Sequence, residues 1–420
     1  MAEIAWIHAA LTSARPQAIS ALLRYFRDLD IAEEAYQEAC LRALRTWPQN
    51  GPPRDPAAWL IFVGRNVALD QVRRQKKQEA LPDEDRLSDL GDAESEVAER
   101  LDGSHYRDDI LRLLFICCHP DLPATQQIAL ALRIVSGLSV KQIARAFLVG
   151  ESAMEQRITR AKTRVAAAGV PFETPGAVER GERLAAVAAM LYLVFNEGYS
   201  ASGAEGDRRR PLSEEAIRLM RLLLRLFPAE AEIMGLLALM LLQHARAAAR
   251  LDGDGQIVLL EDQDRALWDR EMIAEGLALI DKAMRHRRPG PYQIQAAIAG
   301  VHARATRPDD TDWAQIDVLY ATLEHIQPSP VVTLNRAVAI AKLKGPQAAL
   351  AVIAPLEQQL SGYFYFFGFK GWLLMQLGRP GEARASFDRA IALAGSASEA
   401  AHIRQHIDRL MRETAEVAAG

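Results

Sequence analysis

Apolar residues recur at helical spacing along most of the chain, and the pattern is clearest between Thr125 and Ala168. A first apolar run there stops at Gly137, whose backbone freedom suits the end of a helix. A short second helix is predicted over about Val140 to Phe147, and after a short turn a longer third helix runs from Ala153. Three helices at this spacing predict a helix-turn-helix.

Two pairs of residues predict where the second and third helices begin. Ser139 stands three residues before Gln142, and Ser152 stands three residues before Glu155. Each pair fits a capping box, in which the serine hydroxyl and the longer side chain each accept a hydrogen bond from a free backbone amide. We therefore expect side-chain capping at both helix starts.

The third helix has two chemically different sides. Its apolar stripe consists of Met154, Ile158, Ala161 and Val165. The opposite, polar side carries Gln156, Thr159, Arg160 and Thr163, with Arg157, Lys162 and Arg164 beside it. An apolar back and a basic front suit a helix that lies in the DNA major groove. On this hypothesis Ser152, Glu155, Gln156 and Arg160 contact bases, whereas Arg157, Lys162 and Arg164 hold phosphates.

The N-terminal part predicts another helical module. Residues 3–47 read as helical hairpins, and a loop rich in proline and glycine follows over 48–55. Asp55 as a cap and Pro56 at the first helical position start the next helix. That helix is apolar at first and ends with polar and basic residues suited to phosphates: Arg65, Asn66, Asp70, Arg73, Arg74, Lys76 and Lys77.

The C-terminal part predicts further helices, so the fold class is all-α. Helices are expected at about 182–195, 213–227 and 229–251, with a loop over 196–211. Near the end, Leu343, Ala349, Ile353 and Leu356 align with Leu377, Ala383, Phe387 and Ala390 at a constant offset of 34 residues. This period and the small residues at close helix approaches are typical of tetratricopeptide (TPR) repeats, which stack into a concave groove.

The distribution of charge along the chain says more about a nucleic-acid partner than the net charge does. The formal net charge of −4 argues against a nucleic-acid partner. However, residues 1–79 hold 11 basic and 9 acidic residues, and residues 111–170 hold 8 and 3. Residues 80–110 hold 3 basic and 11 acidic residues, as expected of an acidic tether. Positive charge therefore coincides with the modules that are candidates for DNA binding.

Several other classes of site and location are disfavoured. Three cysteines cannot build a disulfide framework and indicate a reducing compartment. Cys117, Cys118 and His119 lack a second ligand cluster, so they are better explained as core or helix-end residues than as a metal site. The N-terminus lacks the order of a signal peptide, and the longest apolar run, Ile233 to Leu242, is too short for a membrane span. We expect a cytoplasmic protein without a cofactor or a membrane partner.

Three motifs together resemble the second and fourth conserved regions of bacterial RNA polymerase sigma factors. They are D-x-A-E-E-x-x-Q-E from Asp30 to Glu38, A-W-L-x-x-x-x-R-N-x-x-x-D-x-x-R-R from Ala58 to Arg74, and the helix-turn-helix. The compact arrangement resembles the extracytoplasmic-function group. The resemblance implies a protein without catalytic residues that binds core RNA polymerase and promoter DNA, while the polymerase performs phosphoryl transfer.

The resemblance also implies roles for individual residues. The helix-turn-helix would read the −35 element. Residues facing polymerase would be Asp30, Glu33, Glu34, Gln37 and Glu38. Residues facing the opened −10 element would be Asn50, Arg54, Arg65, Asn66, Arg73 and Arg74. A polar pair that satisfies the fold is an equally good explanation of Asn66 and Asp70.

The remaining 250 or so residues resemble the sigma-factor subgroup with a fused, TPR-containing C-terminal domain, which implies control of activity by that domain. The expected domains are 1–79 for region 2, 80–104 for the acidic linker, 105–170 for region 4, 171–182 for a second linker, 183–325 for a helical domain and 326–420 for TPR-like repeats.

Two questions stay open on the sequence alone. Distinctive residues of the extension either line a groove for a peptide or protein ligand, or lock helix junctions, and the second explanation is favoured. They are Asn196, Glu197, Tyr199, Asp262, Asp264, Trp268 and Asn335. The alternative to a sigma factor is a one-component regulator, in which the helix-turn-helix binds DNA and the repeats act as a sensor.

Overall fold

The computed structural model describes residues 2–51, 53–76, 110, 113–119, 121–147, 149–168, 177–199, 203–252, 258–394 and 403. These residues form helices joined by turns and loops, with no β-strand among them, so the all-α prediction is confirmed. None of the helices in these ranges is both long enough and apolar enough to span a membrane. The chain divides into two compact units, Met1–Val194 and Phe195–Gly420.

Three helices form an N-terminal bundle in the first unit. They are α1 (Ala2–Phe26), α2 (Leu29–Asn50) and α3 (Pro56–Lys76). Aromatic rings join all three, because the Trp47 ring of α2 lies 6.1 Å from Trp6 of α1 and 5.3 Å from Trp59 of α3. Leu22 and Leu60 are completely buried beside them. The bundle therefore has its own apolar core.

Aspartates start the second and third helices, and a glycine ends the second. Asp28 accepts from the amides of Asp30 and Ile31, and Asp55 performs the same role for α3, as predicted. The predicted loop over 48–55 begins later than expected, because α2 continues to Asn50 and ends at Gly51, with a φ of 79°. Pro48 lies inside the last turn of α2, where it removes one backbone hydrogen bond without ending the helix, and the neighbouring Trp47 is buried.

A second bundle in the same unit contains the predicted helix-turn-helix. Its helices are α4 (Ala124–Ile134), α5 (Val140–Ala146) and α6 (Glu151–Ala167). The capping box at Ser139 is confirmed, since its hydroxyl accepts from the Gln142 amide at 3.2 Å and its own amide donates to the Gln142 side chain at 2.8 Å. The box predicted at Ser152 is wrong. Gly150 caps α6 without a side chain, and Ser152 lies inside the first helical turn.

The helices that follow differ from the prediction mainly at their ends. They are α7 (Ala177–Tyr199), α8 (Gly203–Leu226), α9 (Ala231–His244), α10 (Arg270–Met284), α11 (Pro291–Arg304), α12 (Trp313–Ile326), α13 (Pro330–Lys344), α14 (Pro346–Ile353), α15 (Phe364–Gln376) and α16 (Pro380–Leu393). The loop expected over 196–211 is mostly helical, because α7 extends to Tyr199 and α8 starts at Gly203. The linker expected over 171–182 gives way to helix at Ala177, and the acidic linker over 80–104 lies outside the described residues.

Helix α9 forms the centre of the second unit. Its residues are buried on nearly every side, and α10 and α11 pack against it. Gly235 permits the closest approach, since a Cβ atom there would lie 2.6 Å from the backbone nitrogen of Gln293. Glu232 of α9 also accepts from the amides of Tyr292 and Gln293, at 3.1 and 3.2 Å. A side chain of one helix thus caps the start of another.

Two helical hairpins occupy the positions of the predicted repeats. Helices α13 and α14 form the first hairpin, and α15 and α16 form the second. Two of the four pairs aligned at the 34-residue offset match in burial, since Ala349 and Ala383 are completely buried, as are Ile353 and Phe387. The other two pairs differ, because Leu343 is exposed and Leu377 half-buried, while Leu356 is half-buried and Ala390 buried. The offset in the sequence therefore corresponds to two helix pairs that contribute to one apolar core.

Candidate functional site

Helix α6 presents the two sides that its sequence predicts. Its buried residues are Met154, Ile158, Ala161 and Val165. The residues predicted to touch bases, Ser152, Glu155, Gln156 and Arg160, are all exposed. The Arg160 Nε atom donates to the Gln156 carbonyl at 3.3 Å, so this side chain lies along its own helix. The helix-turn-helix therefore leaves a polar face open to a ligand.

The three residues predicted to hold phosphates differ in their surroundings. Arg157 is half-buried, and Arg164 is exposed and donates to the Asp121 carbonyl at 3.4 Å. Lys162 is half-buried, and its Nζ atom lies 2.6 Å from Asp30 and 2.9 Å from Glu33. Burial by itself lowers the pKa of Lys162, but the hydrogen bonds to both carboxylates raise that pKa above its ordinary value. Lys162 is therefore a charged group that is already bound to anions.

The residues predicted to face the −10 element occupy the end of α2, the loop after it and the middle of α3, as far as the structure describes them. Asn50 is the last residue of α2 and Arg54 follows it, and both are exposed. Arg65 and Asn66 are half-buried on α3. The side chains of Arg73 and Arg74 lie outside the described residues. The sequence prediction missed Tyr25, which is 52 % exposed and lies 5.6 Å from the Arg65 guanidinium.

The residues predicted to face polymerase do not share one environment. Asp30, Glu34 and Gln37 are exposed and Glu38 is half-buried, whereas Glu33 is only 5 % exposed. The sequence prediction overlooked two exposed leucines on the same helix. Leu41 and Leu44 are 49 % and 45 % exposed and continue the surface of Gln37 by one and two helical turns. Such uncovered leucines mark this surface as a candidate for protein contact.

Glu33 is the centre of an ion-pair network between the two bundles of the first unit. Its carboxylate lies 3.5 Å from Arg15 of α1, 2.7 Å from Arg133 of α4 and 2.9 Å from Lys162 of α6. Three cations around one carboxylate satisfy the charge that burial would otherwise leave uncompensated. Helical periodicity places Glu33 on the polar side of α2. It does not indicate which cations surround the carboxylate.

Three of the seven distinctive residues, Tyr199, Asp264 and Trp268, make contacts within the protein, whereas Asp262 and Asn335 are exposed. Asp264 accepts from the Ala266 amide at 2.9 Å. Trp268 is 3 % exposed, and the Arg265 guanidinium lies 4.8 Å from its ring. Tyr199 packs 5.3 Å from the Phe195 ring, centroid to centroid. These contacts agree with the structural explanation of such residues rather than with an open groove.

The cysteines of the chain are free thiols. Cys40 is half-buried, while Cys117 and Cys118 are buried. Burial raises the pKa of Cys118 to about 12 and the pKa of Cys117 well above its ordinary value. Among the side chains that the structure describes, no group of three or more His, Cys, Asp or Glu residues is placed to hold a metal ion.

Comparison with known proteins assigns families to three segments. Residues 11–78 match the family described as "Sigma-70 region 2", and residues 112–165 match "Sigma-70, region 4". Residues 183–284 match "Family of unknown function (DUF6596)". A relative from Rhizobium meliloti (strain 1021), described as "Uncharacterized protein", is 71 % identical over 418 residues, which cover 100 % of this chain and 99 % of the relative.

The stability of the second unit should depend on pH through the buried His302. Burial and then the charges of Arg246 and Arg265 lower the pKa of His302 from 6.5 to about 4, and its ring packs 5.4 Å from Trp313. The folded state thus favours the neutral imidazole. The contribution of the neutral His302 imidazole to the free energy of unfolding is complete above about pH 6.5 and is lost as the pH falls towards 4.

We expect His302→Gln to reduce the acid-induced loss of unfolding free energy between pH 6.5 and 4 by up to about 3 kcal/mol. Denaturant titrations across this pH range measure the effect. His325→Gln replaces an exposed histidine and is the matched control. Parallel profiles for wild type and His302→Gln would contradict the assignment.

Proposed function

We propose that this chain, which belongs to the same family as the Rhizobium meliloti relative and carries both sigma-70 regions, is an RNA polymerase sigma factor of the extracytoplasmic-function type. The two regions support a sigma-factor-like role in transcription initiation. The observation that carries the proposal is the open, polar side of α6 in a helix-turn-helix that follows a region 2 bundle. This combination is suited to two separate promoter contacts.

The first promoter contact is the −35 element, in the major groove. Ser152, Glu155, Gln156 and Arg160 are exposed near the N-terminal half of α6, which is the part of a recognition helix that reaches base edges. Glutamate accepts from cytosine and arginine donates to guanine, so these types can discriminate bases. Arg157, Lys162 and Arg164 supply charge for phosphates.

The second promoter contact is the −10 element, as an opened strand. Unstacking a base step costs a few kcal/mol, which the protein offsets by holding the backbone and the displaced base. Asn50 and Arg54 lie exposed at the junction of α2 and α3. Arg65, Asn66, Arg73 and Arg74 on α3 complete the proposed surface, and the exposed ring of Tyr25 offers a stacking platform.

The proposed polymerase contact lies on α2. Asp30, Glu34, Gln37 and Glu38 retain their proposed role, and Leu41 and Leu44 extend the surface with apolar area. An apolar centre with a polar rim is the usual composition of a protein interface. Glu33 joins this surface only if its buried ion pairs open. The protein itself needs no catalytic group or cofactor in this function, because polymerase performs the chemistry.

The C-terminal unit is proposed to control the activity of the sigma regions. Its final helix pairs repeat at an offset of 34 residues and share one apolar core, which supports the proposal of TPR-like repeats, a class that commonly binds a peptide or protein segment. The one-component regulator is the second candidate function, because it also accounts for the open, polar side of α6 and for an attached helical domain.

A transcription assay separates the two candidates. Core polymerase and the full chain, without another sigma factor, are expected to produce a run-off transcript from a promoter recovered among the fragments that the chain binds. Leu44→Lys is expected to abolish this transcript while it leaves duplex binding intact, since Leu44 lies outside the DNA surface. Silence of the wild-type mixture, together with tight promoter binding, would favour the regulator.

Arg160→Ala tests the orientation of α6. We expect it to weaken binding to the preferred −35 duplex by about 1 to 3 kcal/mol and to relax the base preference at one position. Arg157→Ala is the matched comparison and should weaken all duplexes alike, because it removes a phosphate contact. Competition binding with duplexes varied at each position measures both effects. Unchanged discrimination by Arg160→Ala would mean that another side of α6 meets the bases.

Truncation after residue 175, which removes α7 together with the second unit, tests control by the C-terminal part of the chain. We expect the truncated chain to differ from the full chain in the amount of run-off transcript per bound polymerase. Circular dichroism of the truncated chain first establishes that its helices are intact. Equal transcription by both chains across several promoters would remove the regulatory role.

A further inference from the structure

Four arginines between the end of α9 and the first residue of α10 lie close together, and we call them the arginine cluster. They are Arg246, Arg250, Arg265 and Arg270. The guanidinium groups of Arg246 and Arg265 lie 6.0 and 4.8 Å from the centre of the Trp268 ring. Tyr199 joins Arg246 to Arg250, because its hydroxyl accepts from Arg246 at 3.3 Å and its ring lies 3.8 Å from the Arg250 guanidinium. Arg270 donates to the Arg265 carbonyl at 3.3 Å. The second unit therefore collects four positive charges around two aromatic rings.

Contacts to the backbone hold the arginine cluster in place. The Asp269 amide donates to the Ala245 carbonyl at 2.9 Å, which ties the start of α10 to the end of α9. The Arg265 Nη1 atom donates to the carbonyls of His302, at 2.8 Å, and of Ala305, and so satisfies the end of α11. None of these contacts uses a carboxylate. The fold itself thus places like charges side by side.

The hydrogen-bond acceptors of the arginine cluster are uncharged: a tyrosine hydroxyl and backbone carbonyls. Among the residues that the structure describes, no carboxylate lies within 4.0 Å of these four guanidinium groups. Other partly buried arginines of the same unit are paired. Arg221 lies 2.5 Å from Glu275, and Arg336 lies 2.7 Å from Asp317. The arginine cluster therefore holds positive charge that this unit compensates elsewhere with carboxylates.

Two buried N–H donors of this region receive no acceptor from the described residues. They are the Nε atom of Arg265, a residue that is 8 % exposed, and the indole nitrogen of Trp268. A buried donor without an acceptor is unfavourable. Burial and then the charge of Arg246 also lower the pKa of Arg265, and Asp310 offsets this only in part. An anion that accepted from these donors would relieve both the charge and the unsatisfied hydrogen bonding.

We propose that the arginine cluster and Trp268 bind the phosphoryl group of a small phosphorylated molecule. A phosphoryl group carries nearly two negative charges and three acceptor oxygens, so it can neutralise two arginines, whereas a carboxylate neutralises one. Arg246 and Arg250 are half-buried and Arg270 is exposed, which leaves the cluster open to solvent on one side. Burial of the unpartnered donors favours a small molecule over a protein segment.

The proposed phosphoryl site is independent of the proposed function. It lies within the segment 183–284 that matches a family of unknown function, and it uses no residue of the final helix pairs. It also explains why arginines stand beside Trp268 in the distinctive stretch from Leu259 to Arg270. The inference therefore goes beyond promoter recognition and adds a ligand site to the second unit.

Calorimetric titration of the full chain with inorganic phosphate tests the proposal, with ionic strength held constant by potassium chloride. We expect Arg246→Gln to weaken phosphate binding by about tenfold or more, because it removes one charge-assisted partner. Trp268→Phe keeps an aromatic ring but removes the indole N–H, and should weaken binding by about three- to tenfold. Arg225→Gln removes an exposed arginine of α8 and is the matched control, expected to bind phosphate as the wild type does.

Thermal unfolding gives a second measurement that a purely structural role of Arg246 would not reproduce. Phosphate should raise the unfolding midpoint of the wild type and of Arg225→Gln in a concentration-dependent way, because it binds the folded chain. The midpoint of Arg246→Gln should not respond. Trp268→Phe provides the test if Arg246→Gln fails to fold.

Three results would overturn the proposal. The first is a wild-type chain that does not bind phosphate, and the second is equal binding by the wild type and Arg246→Gln. The third is a phosphoserine peptide that binds more tightly than both phosphate and glycerol phosphate, since the ligand would then be a protein segment. These measurements use no polymerase or promoter, so their outcome is separate from that of the transcription assay.

Discussion

The packing of the first unit depends on how the charge of one buried carboxylate, that of Glu33, is compensated. A glutamate at 5 % exposure is unfavourable unless cations replace the lost water, and Arg15, Arg133 and Lys162 do so from three different helices. Each of these helices is thereby fixed relative to α2. Lys162 is also a proposed DNA contact, and Glu33 is a proposed polymerase contact. The residues that hold the first unit together are therefore among those that its proposed partners would bind.

The proposed DNA surface depends on a simpler constraint, the amphipathic character of α6. Met154, Ile158, Ala161 and Val165 bury their side chains against α4 and α5, and this alone determines which residues remain exposed. Because helical periodicity determines side-chain direction, the exposed face of α6 could be predicted without knowledge of the tertiary structure. The orientation of a recognition helix is thus a direct consequence of its core residues.

Local signals in the sequence predicted the helices well and their ends unevenly. The spacing of Ser139 and Gln142 predicted a capping box correctly, since both side chains accept the expected hydrogen bonds from backbone amides. The same spacing at Ser152 gives a wrong prediction, because the helix already begins after Gly150, which has no side chain that could cap it. The helical continuation through 196–199 and from Gly203 was missed because glycine and polar residues usually mark loops. Two partners of Glu33, Arg133 and Lys162, could not be predicted, because they lie about 100 residues or more away along the chain.

The carboxylate of Glu232 has a consequence for how the second unit assembles. It supplies the bonds that the first turn of α11 cannot provide for itself, across 60 residues of intervening chain. Helix α11 is therefore complete only when α9 is already in its native position, and a shift of α9 would loosen the first turn of α11. This dependence couples the two helices, so a cut between them that let them separate would leave the first turn of α11 frayed, without acceptors for its amides.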